Sequence, residues 1–504
     1  MEPKEGENVN LIDESMKMEM VETSEVVRQP KNMNELKFIL IQRRKDELEA
    51  LLLEHELNGG KGRKPTMLAP FSVAIILTEY VEFIKFERDE TSKLAVYLFD
   101  KGIYSTNEEI IRDIISWLEP KFNKQKANDV IYYLKRKAIA REKTCKKHLI
   151  PVGNGIFNLE TKTLEPFSDN YVFTSRVETN YNEEAKTSPV INGWNVDTWI
   201  KEISCYDDEI EKLLWQVLSD SLNGNYSRRK IIILKGEGNN GKGTYQKFIE
   251  QILGKPNVSH VRLDQVGKQF DVSLLVGKTA NIGDELPSNF TIGDSATLNS
   301  LVTGDPVKVE MKGVQAYFDT FTIVIIQSTN EMPKISNNTK GTYRRLLIVP
   351  FEADFTVETD NWKIKDEYIE RQDVKEYALY KAINLDFDKF IVPKKSSGLL
   401  EEYKKENDPL IEYHEEIFKN YTSTRLPSAI IYRDYKKFLE GNGYKNQLSH
   451  NKFTQRMQLL LEGEWEYHPF KPLESFHPSD IGEDVYFNWD TFDKQKTVRG
   501  FEKI

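Results

Sequence analysis

Lys230-Ile231-Ile232-Ile233-Leu234-Lys235-Gly236-Glu237-Gly238-Asn239-Asn240-Gly241-Lys242-Gly243-Thr244 is the stretch on which the reading of this chain turns. Its first part is a short β-branched run of the kind that forms a buried parallel strand. Glycines at 236, 238, 241 and 243 follow, then a helical pattern from Thr244 to Leu253. Strand, glycine loop, lysine and helix is the order a phosphate cradle needs. Glycines let backbone N–H groups approach an anion, and the helix N-terminus adds a favourable dipole. Gly236, Gly238, Asn239, Asn240, Gly241, Lys242, Gly243 and Thr244 are the candidate nucleotide-binding residues, with Lys242 reaching the β- and γ-phosphates of ATP. The pattern GxxxxGK[ST] holds through Lys242, but Gly243 stands where Ser or Thr ordinarily ligates Mg²⁺. Thr244 follows as a candidate metal ligand, directly or through water. A plain glycine turn at a strand end accounts for the glycines, but not for the Gly-Lys pair and the helix behind it.

Three downstream stations complete an ATPase pattern. Thr279-Ala280-Asn281-Ile282-Gly283-Asp284-Glu285 reads as a neighbouring strand with two carboxylates at its exit. Asp284 would position the metal, and Glu285 would polarise the attacking water as a general base. Phe321 to Thr329 is the most strand-like run in the chain, and Asn330 follows it, placed to orient that water. Thr342-Tyr343-Arg344-Arg345-Leu346-Leu347-Ile348-Val349-Pro350-Phe351 sets two arginines before an apolar strand. Arginine suits the charge on a transferring phosphoryl group, often from a neighbouring subunit. An arginine pair alone is an ordinary solvated face; its meaning here comes from the order.

That order resembles the superfamily 3 helicases, in the branch of phage, plasmid and poxvirus replication proteins. The residues that carry the likeness are 236–244, 283–285, 328–333 and 342–351. The resemblance implies an α/β fold with a P-loop AAA+-like ATPase core, a mainly helical N-terminal region and a C-terminal winged-helix-like domain. It implies a ring hexamer, ATP with Mg²⁺, and 3′-to-5′ unwinding of DNA. It implies that the arginine acts in trans, with Arg345 the first choice and Arg344 the second. Residues 150–181 are similar to the domain that precedes the motor in this branch, and residues 402–453 to the winged-helix tail of phage replication helicases. Expected domains are an acidic tail and surface helix at 1–65, a helicase-associated domain at 66–194, the ATPase at 195–392 and the winged-helix-like domain at 393–504. Many relatives carry a primase domain at the N-terminus; fewer than about 70 residues precede the first resembling segment, so a helicase without primase activity is expected.

Composition bounds the rest. With 504 residues, two to four domains are expected, and 39% hydrophobic and 11% aromatic content supports packed cores. The formal net charge of −10 runs against a nucleic-acid binder as a whole, so DNA would be held by local basic patches. Two cysteines, Cys145 and Cys205, give neither a disulfide framework nor a zinc pattern. No secretory signal is visible, and the apolar stretch Met67–Phe86 is broken by Glu79, Glu82 and Lys85, as in a core helix. A cytoplasmic protein of a bacterial or phage-infected cell, with no membrane contact, is expected. Helix is expected at 33–57, onward to about 140, and at 195–223 in two pieces. Short aromatic strands are expected around Trp465–Tyr467 and Val485–Phe487.

Residues 305–317 alternate like a hairpin, with a turn near Lys312-Gly313. In the family such a hairpin enters the ring channel, which makes Lys308 and Lys312 the DNA-binding candidates. The run from Lys121 to His148 is rich in Lys and Arg, with Tyr132 and Tyr133 interleaved, and reads either as a single-strand-binding patch or as a solvated helix face. Arg433, Lys436, Lys437, Lys445, Lys452 and Arg456 punctuate the C-terminal helices. The expected function is an ATP-dependent helicase acting on single-stranded and forked DNA during replication of a mobile element, together with other replication proteins. Two rivals remain: an origin-binding initiator that uses ATP as a switch, and a nucleotide kinase, since Gly-Lys-Gly-Thr also occurs in such loops.

Overall fold

The computed structural model describes residues 29–88, 92–287, 290–292, 296–335, 340–355, 361–444, 447–471 and 497–504. It comprises two compact units, one of residues 1–144 with 166–174, the other of 145–165 with 175–504.

In the first unit, α1 (Met33–Leu57) starts where the Asn32 side chain accepts from Glu35 N. α2 (Pro70–Tyr80) follows, with proline in its first turn. The expected core helix over 67–86 ends there. β1 (Phe83–Lys85), β2 (Leu94–Leu98) and β3 (Ile103–Ser105) come next, then α3 (Glu108–Leu118), α4 (Lys124–Lys137) and β4 (Ile139–Ala140). The sheet order is β3-β2-β1-β4. These strands replace part of the expected run of helix, because Phe83–Lys85 pairs antiparallel with Leu94–Val96. Both helix caps in this region are asparagines, Asn107 and Asn123. Leu36, Leu40, Val73, Leu77, Ile111, Ile114, Val130 and Leu134 close the core. Glu119 is fully buried but accepts from Arg44 at 3.1 Å and from Leu68 N at 2.9 Å, so its charge is matched.

The second unit opens with a meander of β5 (Leu149–Val152), β6 (Gly155–Asn158) and β7 (Thr163–Glu165). Helices α5 (Val196–Ile203) and α6 (Asp208–Ser221) are the two expected pieces. β8 (Ile231–Lys235) leads into α7 (Lys242–Leu253), followed by β9 (Val258–Ser259), β10 (Ala280–Gly283), β11 (Thr291–Ile292), α8 (Ala296–Thr303), the hairpin β12 (Val307–Met311) and β13 (Val314–Asp319), β14 (Val324–Thr329), β15 (Lys334–Ile335), α9 (Lys340–Tyr343) and β16 (Leu346–Pro350). Five of these strands form one parallel sheet in the order β16-β8-β14-β10-β9. Its strands are apolar on both sides because both faces are covered. Ile232, Leu234, Ile326 and Val349 pack with α5, α6 and α7 on one face. Ile231, Ile233, Ile325 and Ile348 pack with α8 and the hairpin on the other. Truncating any one of these isoleucines to alanine is worth about 2–5 kcal/mol.

After the sheet come α10 (Trp362–Asp366), α11 (Gln372–Ile383) and α12 (Lys394–Glu406). The chain ends in α13 (Pro409–Glu416), β17 (Arg425–Pro427), α14 (Ser428–Gly441), α15 (His450–Leu460), β18 (Trp465–Phe470) and β19 (Val498–Lys503), with sheet order β17-β19-β18. The strand expected around Trp465 is β18. The one expected at Val485–Phe487, residues 1–28 of the acidic tail expected over 1–30, and the basic residue Lys445 lie outside the described residues.

One buried ion pair gives a stability prediction. Asp220, 1% exposed, meets Arg228 at 2.5 Å, and Arg228 also donates to Phe387 O at 2.8 Å. Burial pushes the Asp220 carboxyl up from 3.8 to about 6, with Arg228 pulling it down. A carboxyl raised in the folded state contributes stability below its unfolded pKa, and that stability is lost as pH rises through about 6. Arg228→Met leaves the carboxylate unpaired and costs about 3–5 kcal/mol at neutral pH. In denaturant melts that cost should shrink as pH falls from about 7.5 toward 5, because protonation neutralises the orphan. A cost that does not change with pH would contradict this account.

Candidate functional site

β8 brings the chain to the C-terminal edge of the sheet, where Gly236 opens the loop. A Cβ at Gly236 would run into the carbonyl oxygen of Phe351, which leaves β16 alongside. Asn239 and Gly241 both take left-handed backbone, at φ 54° and 87°, and a side chain at 241 would also come within 2.9 Å of Ile203. Asn240 is buried and donates to the carbonyls of Glu237 and, at 3.1 Å, Phe351. The loop is thus pinned to β16 from inside. Its last left-handed residue turns the chain into α7, whose first N–H groups lack intrahelical partners.

Lys242 lies 7% exposed at the start of α7. Its Nζ donates to Gly236 O, to Glu237 O at 2.8 Å, to Asn240 Oδ1 at 3.2 Å and to Asn330 Oδ1 at 3.3 Å. Asn330 in turn donates to Glu285 Oε1. One chain of hydrogen bonds therefore joins the residues that follow β8, β14 and β10. Burial holds the Lys242 pKa below the usual lysine range, and Glu285 partly restores it. A desolvated ammonium held mostly by neutral carbonyls is favoured by an incoming anion.

The polar residues inside the strands support this edge. Asn281 is buried in β10, where it accepts from Val261 N and Ser259 Oγ, both at 2.9 Å, and so ties down the chain beyond β9. Gln327, fully buried in β14, donates to Asp284 O and accepts from Leu263 N at 3.0 Å. Gln246 of α7 donates to Gly283 O at 2.8 Å. Sequence reasoning passed over Gln327 and Gln246. The signal was a glutamine inside an otherwise apolar strand or helix face, where an amide survives burial only when its bonds are made.

Around the loop lies a pocket of about 610 Å³, a size suited to a nucleotide. Residues 238–244, Asp284, Glu285 and Asn330 line it, and so does Lys365, which carries no motif. Thr244, Asp284 and Glu285 supply one hydroxyl and two carboxylates. That donor set suits a cation bound chiefly through phosphate oxygens. Among the described residues no group of three His, Cys, Asp or Glu side chains could hold a metal unaided.

Arg344 and Arg345 are not brought into this pocket. They precede β16 at the opposite edge of the sheet, where the Arg345 carbonyl accepts from Ile231 N at 2.8 Å. The Arg345 guanidinium donates to Gly341 O at 2.9 Å and Asn299 Oδ1 at 3.2 Å. Burial lowers its pKa, and the nearby cations Arg344 and Arg229 lower it further against Asp305. Lys308 and Lys312 lie on the hairpin. Lys312 is exposed at the turn beside Gly313, whereas Lys308 lies within β12 and pairs with Glu310 at 2.6 Å. Among the described residues no helix is long and apolar enough to cross a membrane.

Models of known families match three stretches of the chain. The family "D5 N terminal like" matches residues 73–205, a family of unknown function (DUF5906) matches 234–345, and "Poxvirus D5 protein-like" matches 405–488. The putative helicase L207/L206 of Acanthamoeba polyphaga mimivirus is 25% identical over 228 residues, 41% of this chain and 22% of that protein. The chain thus spans about a fifth of that relative's length. An apo structure of the NrS-1 C-terminal region (A form) covers 87% of this chain and 100% of its own at 13% identity, with a TM-score of 0.45. Another apo structure of that region covers 86% and 99% at 13% identity, with a TM-score of 0.46. The fold and site define a mixed α/β protein with a parallel sheet and a glycine-rich loop lining a pocket at its edge. With D5-type family models matching before and after that sheet in the sequence, the chain is similar to D5-like replication proteins of the superfamily 3 helicase type.

Proposed function

We propose that this protein is an ATP-driven motor that unwinds DNA during replication of a virus or other mobile element. The observation that carries the reading is the hydrogen-bonded series Lys242–Asn330–Glu285 at one edge of a parallel sheet. In this reading the Lys242 ammonium leaves the loop carbonyls for the β- and γ-phosphates. The N–H groups of residues 238–244 wrap the phosphate chain. Glu285, oriented by Asn330, takes the proton of the attacking water. Thr244 and Asp284 would hold Mg²⁺, which when bound neutralises phosphate charge. The strand order β16-β8-β14-β10-β9 supports the AAA+-like assignment, because it puts the Asn330 strand between the loop strand and the carboxylate strand.

A strand-displacement assay with 3′- and 5′-tailed forks, with and without ATP, tests the motor. ATP-dependent release from the 3′-tailed fork is the expected result; no release from either would overturn it. Lys312 at the hairpin turn carries the coupling to DNA. Lys312→Ala should retain ATP turnover and lose about tenfold or more in strands displaced per ATP, a loss of order 1.4 kcal/mol in coupling. Unchanged displacement per ATP would remove the hairpin from the mechanism.

The C-terminal order of helix, strand, two helices and two strands favours a second role, site-specific duplex recognition by a winged-helix-like domain. Arg433 and Lys452 are exposed on its helices α14 and α15. Footprinting on the element's own DNA separates an initiator from a motor without sequence preference.

A further inference from the structure

Lys365 lines the pocket from α10. Its position is set from both sides. Ile364 packs against the core that holds α7, and Asp366 pairs with Lys247 of α7 at 3.3 Å. A Cβ built at Gly243 would come within 3.8 Å of the Lys365 ammonium nitrogen. Among the described residues that ammonium has no hydrogen-bond or ion-pair partner. Lys247, on the same helix pair, is bound by both Asp366 and Glu370.

An ammonium beside the first turn of a helix faces the positive end of the helix dipole, an unfavourable place for a cation unless an anion joins it. Lys242 already adds one positive charge there. A serine or threonine at 243 would put a hydroxyl within reach of Lys365; glycine leaves the ammonium free. We propose that Lys365 is a second phosphate-binding lysine, acting within the same subunit on the terminal phosphates of the nucleotide. Gly243 then leaves room at the loop for a charge supplied from α10. The proposal rests on reading the pocket as a nucleotide site.

Binding of ATP with Mg²⁺ to the full chain, measured by calorimetry, tests it. Lys365→Met keeps the aliphatic stem and removes the charge, so it should raise Kd about 10- to 100-fold, as expected for one charge-assisted hydrogen bond. The ligand-free melting temperature should stay unchanged, and Lys365→Arg should restore most of the affinity. If Lys365→Met binds within about threefold of wild type while Lys242→Ala does not, this proposal fails and the nucleotide reading stands. If wild type itself does not bind ATP, the nucleotide reading fails.

Discussion

Lys242→Ala should lower ATP turnover by about a hundredfold or more, the scale seen when one preorganised charge-stabilising donor is removed. The fold should survive. Lys242 is 7% exposed but makes no ion pair among the described residues; it is held by two carbonyls and two side-chain amide oxygens. Those acceptors line or border an open pocket, so water can replace the ammonium at little cost. The loop remains pinned through Asn240 to Phe351, and α7 through Gln246 to Gly283. DNA binding should persist as well, because the hairpin that carries Lys312 is built from other strands. Phosphate release, a thermal melt and filter binding to tailed DNA check the three parts. Undiminished turnover would sink the motor reading outright.

How much of this was legible depends on how local the cause is. The loop, its strand and its helix are specified by neighbouring residues, and they lie where the sequence put them. The same holds for the turn at Lys312-Gly313 and the strand after Arg345. The short strands β1 and β4 were not legible. Three or two residues carry no usable period, and they form because of partners nine or more positions away. β19 shows the same limit from the other side: Val498–Lys503 holds few strong strand formers and is fixed by pairing with both β17 and β18. At the candidate site, Asp284, Glu285 and Asn330 could be named from the sequence because they follow recognisable strands. Lys365 was not, because nothing in Trp362-Lys363-Ile364-Lys365-Asp366 distinguishes it from Lys363 until the helix is folded against α7. Only the fold reveals that one of these lysines faces Gly243.

Arg345→Ala should abolish turnover and keep nucleotide binding, and the geometry says how to prove where the arginine acts. Arg345 precedes β16, whereas the loop, Glu285 and Asn330 lie at the other end of the sheet. Five strand residues at about 3.3 Å each put roughly 16 Å between the two edges, more than an arginine side chain spans. Within one chain the guanidinium cannot touch the phosphate. If it contributes, it does so at the site of a neighbouring subunit, and a ring of identical subunits offers such an interface. The surroundings of Arg345 are consistent with that use: Arg344 and Arg229 disfavour its charge, and a neighbour's triphosphate would relieve it. Arginines acting this way contribute about 10³–10⁵ in rate, so the single variant should fall to background while its ATP affinity holds. Mixing supplies the decisive measurement. Lys242→Ala and Arg345→Ala subunits are each inactive alone. In randomly mixed rings roughly one interface in four joins an intact lysine to an intact arginine, so partial turnover should return. Recovery no greater than the sum of the two variants would remove Arg345 from the neighbouring site.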